Sequence, residues 1–171
     1  MSFMELAKNR YSVRSFTDKK VEQEKLDAIL ETGRIAPTGA NCQPQKIYVL
    51  NSPAAIEKIN SVCQCVFGAQ TVLMVAYDKN LEWKNPLEEG VSAGVQDVSI
   101  VATHMMMEAW ELGIGSCWVN FFSPTEVKKA FELPENEEVV LLLPIGYASD
   151  DAAPAEMHTK SRGLGDMVTT L

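Results

Sequence analysis

The stretch Ala36-Pro37-Thr38-Gly39-Ala40-Asn41-Cys42-Gln43-Pro44-Gln45 stands between a helical pattern and a strand, and reading outward from it gives the layout of the chain. Before it, Val21, Leu26, Ile29 and Leu30 recur at helical spacing up to Pro37. After it, Lys46 to Leu50 (KIYVL) has the β-branched and aromatic content of a strand. The stretch holds two prolines, a glycine and several amide or hydroxyl groups, so it can present fixed hydrogen bonds to a polar ligand. A plain helix-to-strand turn would also use proline and glycine here, and the stretch alone does not separate the two.

Further out, Phe3, Met4, Leu6 and Ala7 predict a short opening helix running into Arg10, and Tyr11 to Phe16 breaks its pattern. Ala54 to Val62 predicts a helix. Thr71 to Tyr77 is apolar almost throughout, as a strand covered on both faces would be. Pro86 to Leu112 carries the longest helical signal, through Val91, Val95, Val98, Val101, Ala102, Met105, Met106 and Ala109, with Gly113 as its stop. Gly115 to Asn120 predicts a short strand. Ser123-Pro124-Thr125-Glu126 has the form of a capping box opening a helix to about Leu133, and Val139 to Ile145 is an apolar strand ended by Gly146-Tyr147. Helices and strands alternate without repeats or a dividing linker, which predicts one layered α+β domain over residues 1–171.

Charge narrows the function classes. The net charge is -8, with 11 Lys/Arg against 9 Asp/Glu in residues 1–85 and only 4 against 14 in residues 86–171. Such a surface suits neither nucleic acid nor an anionic membrane, both of which require a basic patch. No stretch approaches the length of a membrane span, and MSFMELAKNRYSVR lacks the apolar run of a signal peptide, so the expected location is the cytoplasm. The four cysteines, Cys42, Cys63, Cys65 and Cys117, are expected to be reduced, because a chain of 171 residues can build a core without staples. Neither His104 nor His158 stands at zinc-like spacing from cysteine, and no GxGxxG or GxxxxGK[ST] motif is present.

Two further clusters can carry chemistry. Arg10, Tyr11, Ser12 and Arg14 place two guanidiniums and a hydroxyl within five residues, able to fork onto a phosphate monoester. Arginines at a helix end also simply complement its dipole. Lys160 and Arg162 are half of the cations in the C-terminal half; they suit an anion, or a solvated surface pair.

Taken in order, Arg10-Tyr11-Ser12-Val13-Arg14, Ala36 to Pro44, Leu112-Gly113-Ile114-Gly115-Ser116-Cys117-Trp118, Pro144-Ile145-Gly146-Tyr147 and Lys160-Ser161-Arg162 resemble the nitroreductase family, from about Phe3 to Arg162. The resemblance implies a nitroreductase-like α+β fold, a central mixed sheet flanked by helices, and a homodimer binding FMN between its subunits. It implies that Arg10, Ser12, Arg14, Lys160 and Arg162 hold the flavin phosphate and pyrimidine end, with Tyr11 keeping a hydrogen-bonding hydroxyl near the flavin. Pro37, Thr38, Gly39 and Asn41 would reach it from the other subunit, and the backbone of Trp118, Val119 and Asn120 would lie along the ring. The long helix would form much of the interface; a buried core helix would show the same pattern. The implied activity is hydride transfer from NADH or NADPH through flavin N5 to a nitroaromatic, quinone or enone, with no acid or base side chain as catalyst. A reductive dehalogenase, a dehydrogenase, and an FMN store or sensor are the alternatives. Two positions depart from the family pattern: Tyr11 stands in place of a second arginine, and Gln45 where an aromatic residue commonly follows Gln-Pro. Little chain lies between Tyr77 and Pro86 or between Asn120 and Ser123 to form a lid.

Overall fold

A computed structural model describes residues 2–171. The helix α1 (Phe3–Asn9) starts at a capping box in which the Ser2 hydroxyl accepts from the Glu5 amide and the Glu5 carboxylate accepts from Ser2. The elements that follow are α2 (Gln23–Ile35), β1 (Gln45–Leu50), α3 (Pro53–Val62), β2 (Thr71–Asp78) and α4 (Gly94–Glu111). The chain continues through β3 (Gly115–Ser116), α5 (Pro124–Ala130) and β4 (Glu137–Gly146), then short 3-10 turns at Glu156–Thr159 and Leu164–Asp166.

The strands form one sheet in the order β1-β2-β4-β3, with antiparallel pairing throughout. The resemblance implies a mixed sheet; the strand pairings are instead all antiparallel, and parallel pairing is confined to an isolated bridge between Ser12 and Ser116. The apolar run of β2 has its reason in the layers. Val72, Met74 and Ala76 face a core with Ile59 of α3 and Val127 of α5, while Leu73 and Val75 face α2 and α4 through Leu26, Ile29, Val98, Val101 and Met105. A strand with both faces covered has no polar face to show. Opposite it, β4 carries a bulge: Val75 pairs with Leu141 but Ala76 with Val139, which leaves Val140 unmatched. Alternation along β4 therefore reverses there, with Val139 in the first core and Leu141 and Leu143 in the second.

The helix expected from Pro86 begins only at Gly94. Residues 79–93 instead make an irregular excursion, closed by a bridge between Lys84 and Ser92 and by the Ala93 amide donating to the Trp83 carbonyl at 2.9 Å. Gly90 turns it in the left-handed region, at φ +82. The tight approach at Gly94 fixes the entry to α4, since a Cβ there would lie 2.3 Å from the Tyr77 ring. The strand expected over Gly115 to Asn120 stops after Ser116; beyond it the Cys117 amide still donates to the Pro144 carbonyl of β4 at 3.1 Å, and Val119 is bridged to Leu142. Among the described residues no helix is long and apolar enough to cross a membrane.

Candidate functional site

The first cluster lies along the free side of β3. Arg10 caps α1, its amide donating to the Leu6 carbonyl at 3.0 Å, and the chain then runs extended. The Val13 amide donates to the Ser116 carbonyl at 2.9 Å, and Val13 is fully buried. Extended geometry alternates side chains, so burial of Val13 directs Ser12 and Arg14 the other way. Arg14 is exposed, with Nη1 donating to the Ser12 carbonyl at 3.4 Å. The Cys117 thiol is pushed up by burial and drawn back by the Arg14 charge, a Ser12 hydrogen bond and the Arg10 charge, so both guanidiniums act at the end of β3.

The third cluster comes to the first. Arg10 lines a cleft of about 430 Å³ with Ala7, Lys8, His158, Thr159 and Ser161. Its Nε is buried and donates to nothing. A buried guanidinium N–H without an acceptor is costly, and no carboxylate is among the six residues lining the cleft. The Lys8 ammonium and the Thr159 and Ser161 hydroxyls complete a donor set suited to a phosphate dianion. Tyr11 packs its ring edge-on against Trp110, 5.3 Å between centroids, and against His158 at 6.2 Å; its hydroxyl donates to the Ala152 carbonyl at 3.5 Å. Lys160 and Arg162 are exposed, the first paired with Glu156 and the second donating from Nη2 to the Asp166 carbonyl at 2.8 Å. Neither lines the cleft directly.

The second cluster is anchored elsewhere. Pro37 and Asn41 are exposed and Thr38 and Gly39 half-buried, in a 3-10 turn over Gly39–Asn41. Ala40, Asn41 and Gln43 all take positive φ, at 47, 56 and 50. The turn is closed by the Gln43 amide donating to Thr38 Oγ1 at 3.0 Å and the Cys42 amide to the Gly39 carbonyl at 2.9 Å. Gly39 is wedged against Trp83 and Ala93, where a Cβ would meet their Cβ atoms at 3.1 and 3.3 Å. Its amide donates to Asp97 Oδ1 at 2.8 Å. Asp97 is a residue that sequence reasoning missed: inside a helix expected from Pro86 it reads as a lone acidic residue in mid-helix. The available signal was its place on the apolar face of α4, one residue before Val98.

The anchors of the first and second clusters lie at opposite ends of α4. Trp110, against Tyr11, is in its last turn and Asp97 in its first, about 20 Å apart along the axis at 1.5 Å per residue. Between them runs an outer stripe in which Val95 and Ile100 are exposed apolar side chains, with Thr103 and His104 also exposed and Met107 half-buried. Of the remaining expected residues, Val119 is buried and its amide and carbonyl are both spent on Leu142, at 2.9 and 3.0 Å. Trp118 is half-buried, its indole N–H donating to Asn120 Oδ1 at 3.0 Å.

Comparison with known proteins agrees with this architecture. The sequence profile of the Nitroreductase family matches residues 7–67 and 63–147. The crystal structure of a nitroreductase family protein from Clostridium difficile 630 is 41% identical, covers 100% of both chains and superposes with a TM-score of 0.92. A protein of Methanothermobacter thermautotrophicus, provisionally named NADH dehydrogenase/NAD(P)H nitroreductase, is 27% identical over 170 residues, 95% of this chain and 85% of the relative. A crystal structure from Exiguobacterium sibiricum 255-15, provisionally described as a nitroreductase in complex with FMN, shares the fold at 22% identity and a TM-score of 0.82, covering 100% of this chain and 98% of the other.

Proposed function

Since the chain belongs to the nitroreductase family, we propose that it is an FMN-dependent oxidoreductase, working as a homodimer in the cytoplasm. It takes a hydride from NADH or NADPH and delivers it to a small acceptor such as a nitroaromatic, a quinone or an enone. The observation that carries this reading is the unpartnered, buried Nε–H of Arg10, a residue that lines a cleft together with Lys8, Thr159 and, from the third cluster, Ser161. FMN, when bound, supplies the redox chemistry itself.

The residues of the chain hold and orient. Arg10, Ser12 and Arg14 bind the phosphate and pyrimidine end, with Lys160 and Arg162 swinging in from their local partners and the Tyr11 hydroxyl beside them. Their charge offsets the close to two negative charges of the phosphate in a protein that is otherwise acidic. Pro37, Thr38, Gly39 and Asn41 reach the ligand from the second subunit. The separation along α4 supports this division: two copies of α4 packed antiparallel on their outer stripes bring the first turn of one beside the last turn of the other. Along the ring, Val119 has no free main-chain group, so the polar contacts fall to Trp118 and Asn120.

Loading with FMN, followed by steady NADH or NADPH oxidation in the presence of a nitroaromatic, is the expected behaviour. A protein that cannot be loaded overturns the reading, and loading without turnover would make it a store. Removing the charge of Arg14 or Arg162 should weaken FMN binding by roughly 1.5–3 kcal/mol if each makes a charged hydrogen bond. Light scattering should give a dimer; a persistent monomer removes the shared site.

A further inference from the structure

We propose that Asp97 is a positioning residue: it holds the Thr38–Gln43 loop, which carries one wall of the proposed flavin site, in the strained shape that presents its polar groups. This rests on the functional reading above for the identity of the ligand, and on the geometry of the loop for the role itself.

Three side-chain-bearing residues within four positions, Ala40, Asn41 and Gln43, occupy the left-handed region. For Ala40 and Gln43 this costs roughly 1–2 kcal/mol each, asparagine being better tolerated there, and such conformations persist where their surroundings over-determine them. The bonds closing the turn, from Asn41, Cys42 and Gln43 back to Thr38 and Gly39, are internal to it and would travel with it if it moved. The Gly39 amide on Asp97 Oδ1 ties the turn to α4. Asp97 is 3% exposed, and its Oδ2 is buried without a donor. A carboxylate kept under those terms is poor economy for stability, where an apolar side chain would serve α4 better. It is intelligible as a fixed acceptor for one amide. Trp83 and Ala93 close the other sides of Gly39, so the anchor sets both where the turn sits and how it faces.

The test uses the full chain with Asp97→Ala, Asp97→Asn and Asp97→Glu. Asn keeps an acceptor oxygen at the same reach; Ala removes it; Glu keeps a carboxyl group and displaces it by a methylene. In the unliganded protein, amide exchange at Gly39 should accelerate by about tenfold or more in Asp97→Ala and stay within about threefold of wild type in Asp97→Asn. FMN titration should follow the same order, with Kd raised about tenfold in Asp97→Ala and recovered by Asn. If the alanine variant does not fold, Asp97→Glu is read in its place, with the same expectation of faster exchange and weaker binding. Wild-type exchange and FMN affinity in whichever of the two folds would overturn the proposal. If the unmodified protein fails to bind FMN, the functional reading falls, while Gly39 exchange still decides what Asp97 does.

Discussion

Gly115→Ala should unseat the first cluster of the proposed site without touching any of its side chains. A Cβ built on Gly115 would lie 2.7 Å from Val13 Cγ2, 3.1 Å from Val13 Cβ and 3.4 Å from the Gly146 carbonyl oxygen. Carbon pairs rest at about 3.5–4.0 Å, so the closest pair must separate by nearly 1 Å. Val13 cannot rotate clear, since it is β-branched and fully buried. The main chain of Ser12–Arg14 must therefore lift off β3, weakening the Val13 amide's bond to Ser116. Overpacking of this kind costs roughly 1–3 kcal/mol, which in a chain of this length lowers the thermal midpoint by about 2–4 °C per kcal/mol. FMN affinity should fall with it, because Ser12 and Arg14 move with Val13. Thermal unfolding and FMN titration of Gly115→Ala, Val13→Ala and the double variant form a cycle in which the smaller side chain relieves the clash, with a coupling of roughly 0.5–3 kcal/mol. A midpoint within about 1 °C of wild type for Gly115→Ala, or additive single effects, would refute the reasoning.

Three other outcomes are expected. Tyr48 donates to the buried Glu137 carboxylate at 2.5 Å, and burial together with that partner pushes its hydroxyl up to about 12 from an ordinary 10.0. Its contribution is then complete below pH 10 and is lost as pH rises toward 12; Tyr48→Phe should lack that alkaline loss in denaturant titrations and, by removing the donor to Glu137, be less stable by about 1–3 kcal/mol at neutral pH. The Tyr147 hydroxyl, donating at 2.6 Å, is the largest influence holding the Glu22 carboxyl down to about 2, ahead of its own backbone and Lys19, so Glu22 stabilises the fold above its ordinary 4.5 and ceases to as pH falls through about 2. Tyr147→Phe should move the Glu22 titration upward by carboxyl NMR, and an unmoved titration would dismiss the contact. In a thiol assay on the folded protein, Cys42 and Cys65 should react while Cys63 and Cys117, buried and with their thiols pushed up by that burial, wait for unfolding.

Local pattern made the sheet legible wherever burial was uniform. The strands read at Lys46, Thr71 and Val139 match β1, β2 and β4 closely, because an apolar run bounded by turn residues is what a doubly covered strand requires. The same logic misled at α4. Val91 continues the apolar spacing backward in phase with Val95, yet its backbone belongs to the excursion, since the contact of Gly94 with the Tyr77 ring fixes where the helix starts. The bulge at Val140 was invisible because valine suits either face. At the site, Arg10 and the Lys160-Ser161-Arg162 cluster were nominated from charge and resemblance; that Arg10 meets Ser161, together with His158 and Thr159, in one cleft is a product of folding that spacing does not encode. Asp97 escaped because its importance lies in its burial, and a single acidic residue within the helix expected from Pro86 gives no hint that it is covered.

The three tryptophans of the chain fall one to each part of the candidate site. Trp83 backs Gly39, Trp110 meets the edge of Tyr11, and Trp118 lies on the segment beyond β3. If the proposed flavin site forms, each indole should lose emission to the yellow ligand seated beside it. Retaining a single indole at a time would let the filling of each part of the proposed site be watched separately, in the light the protein itself emits.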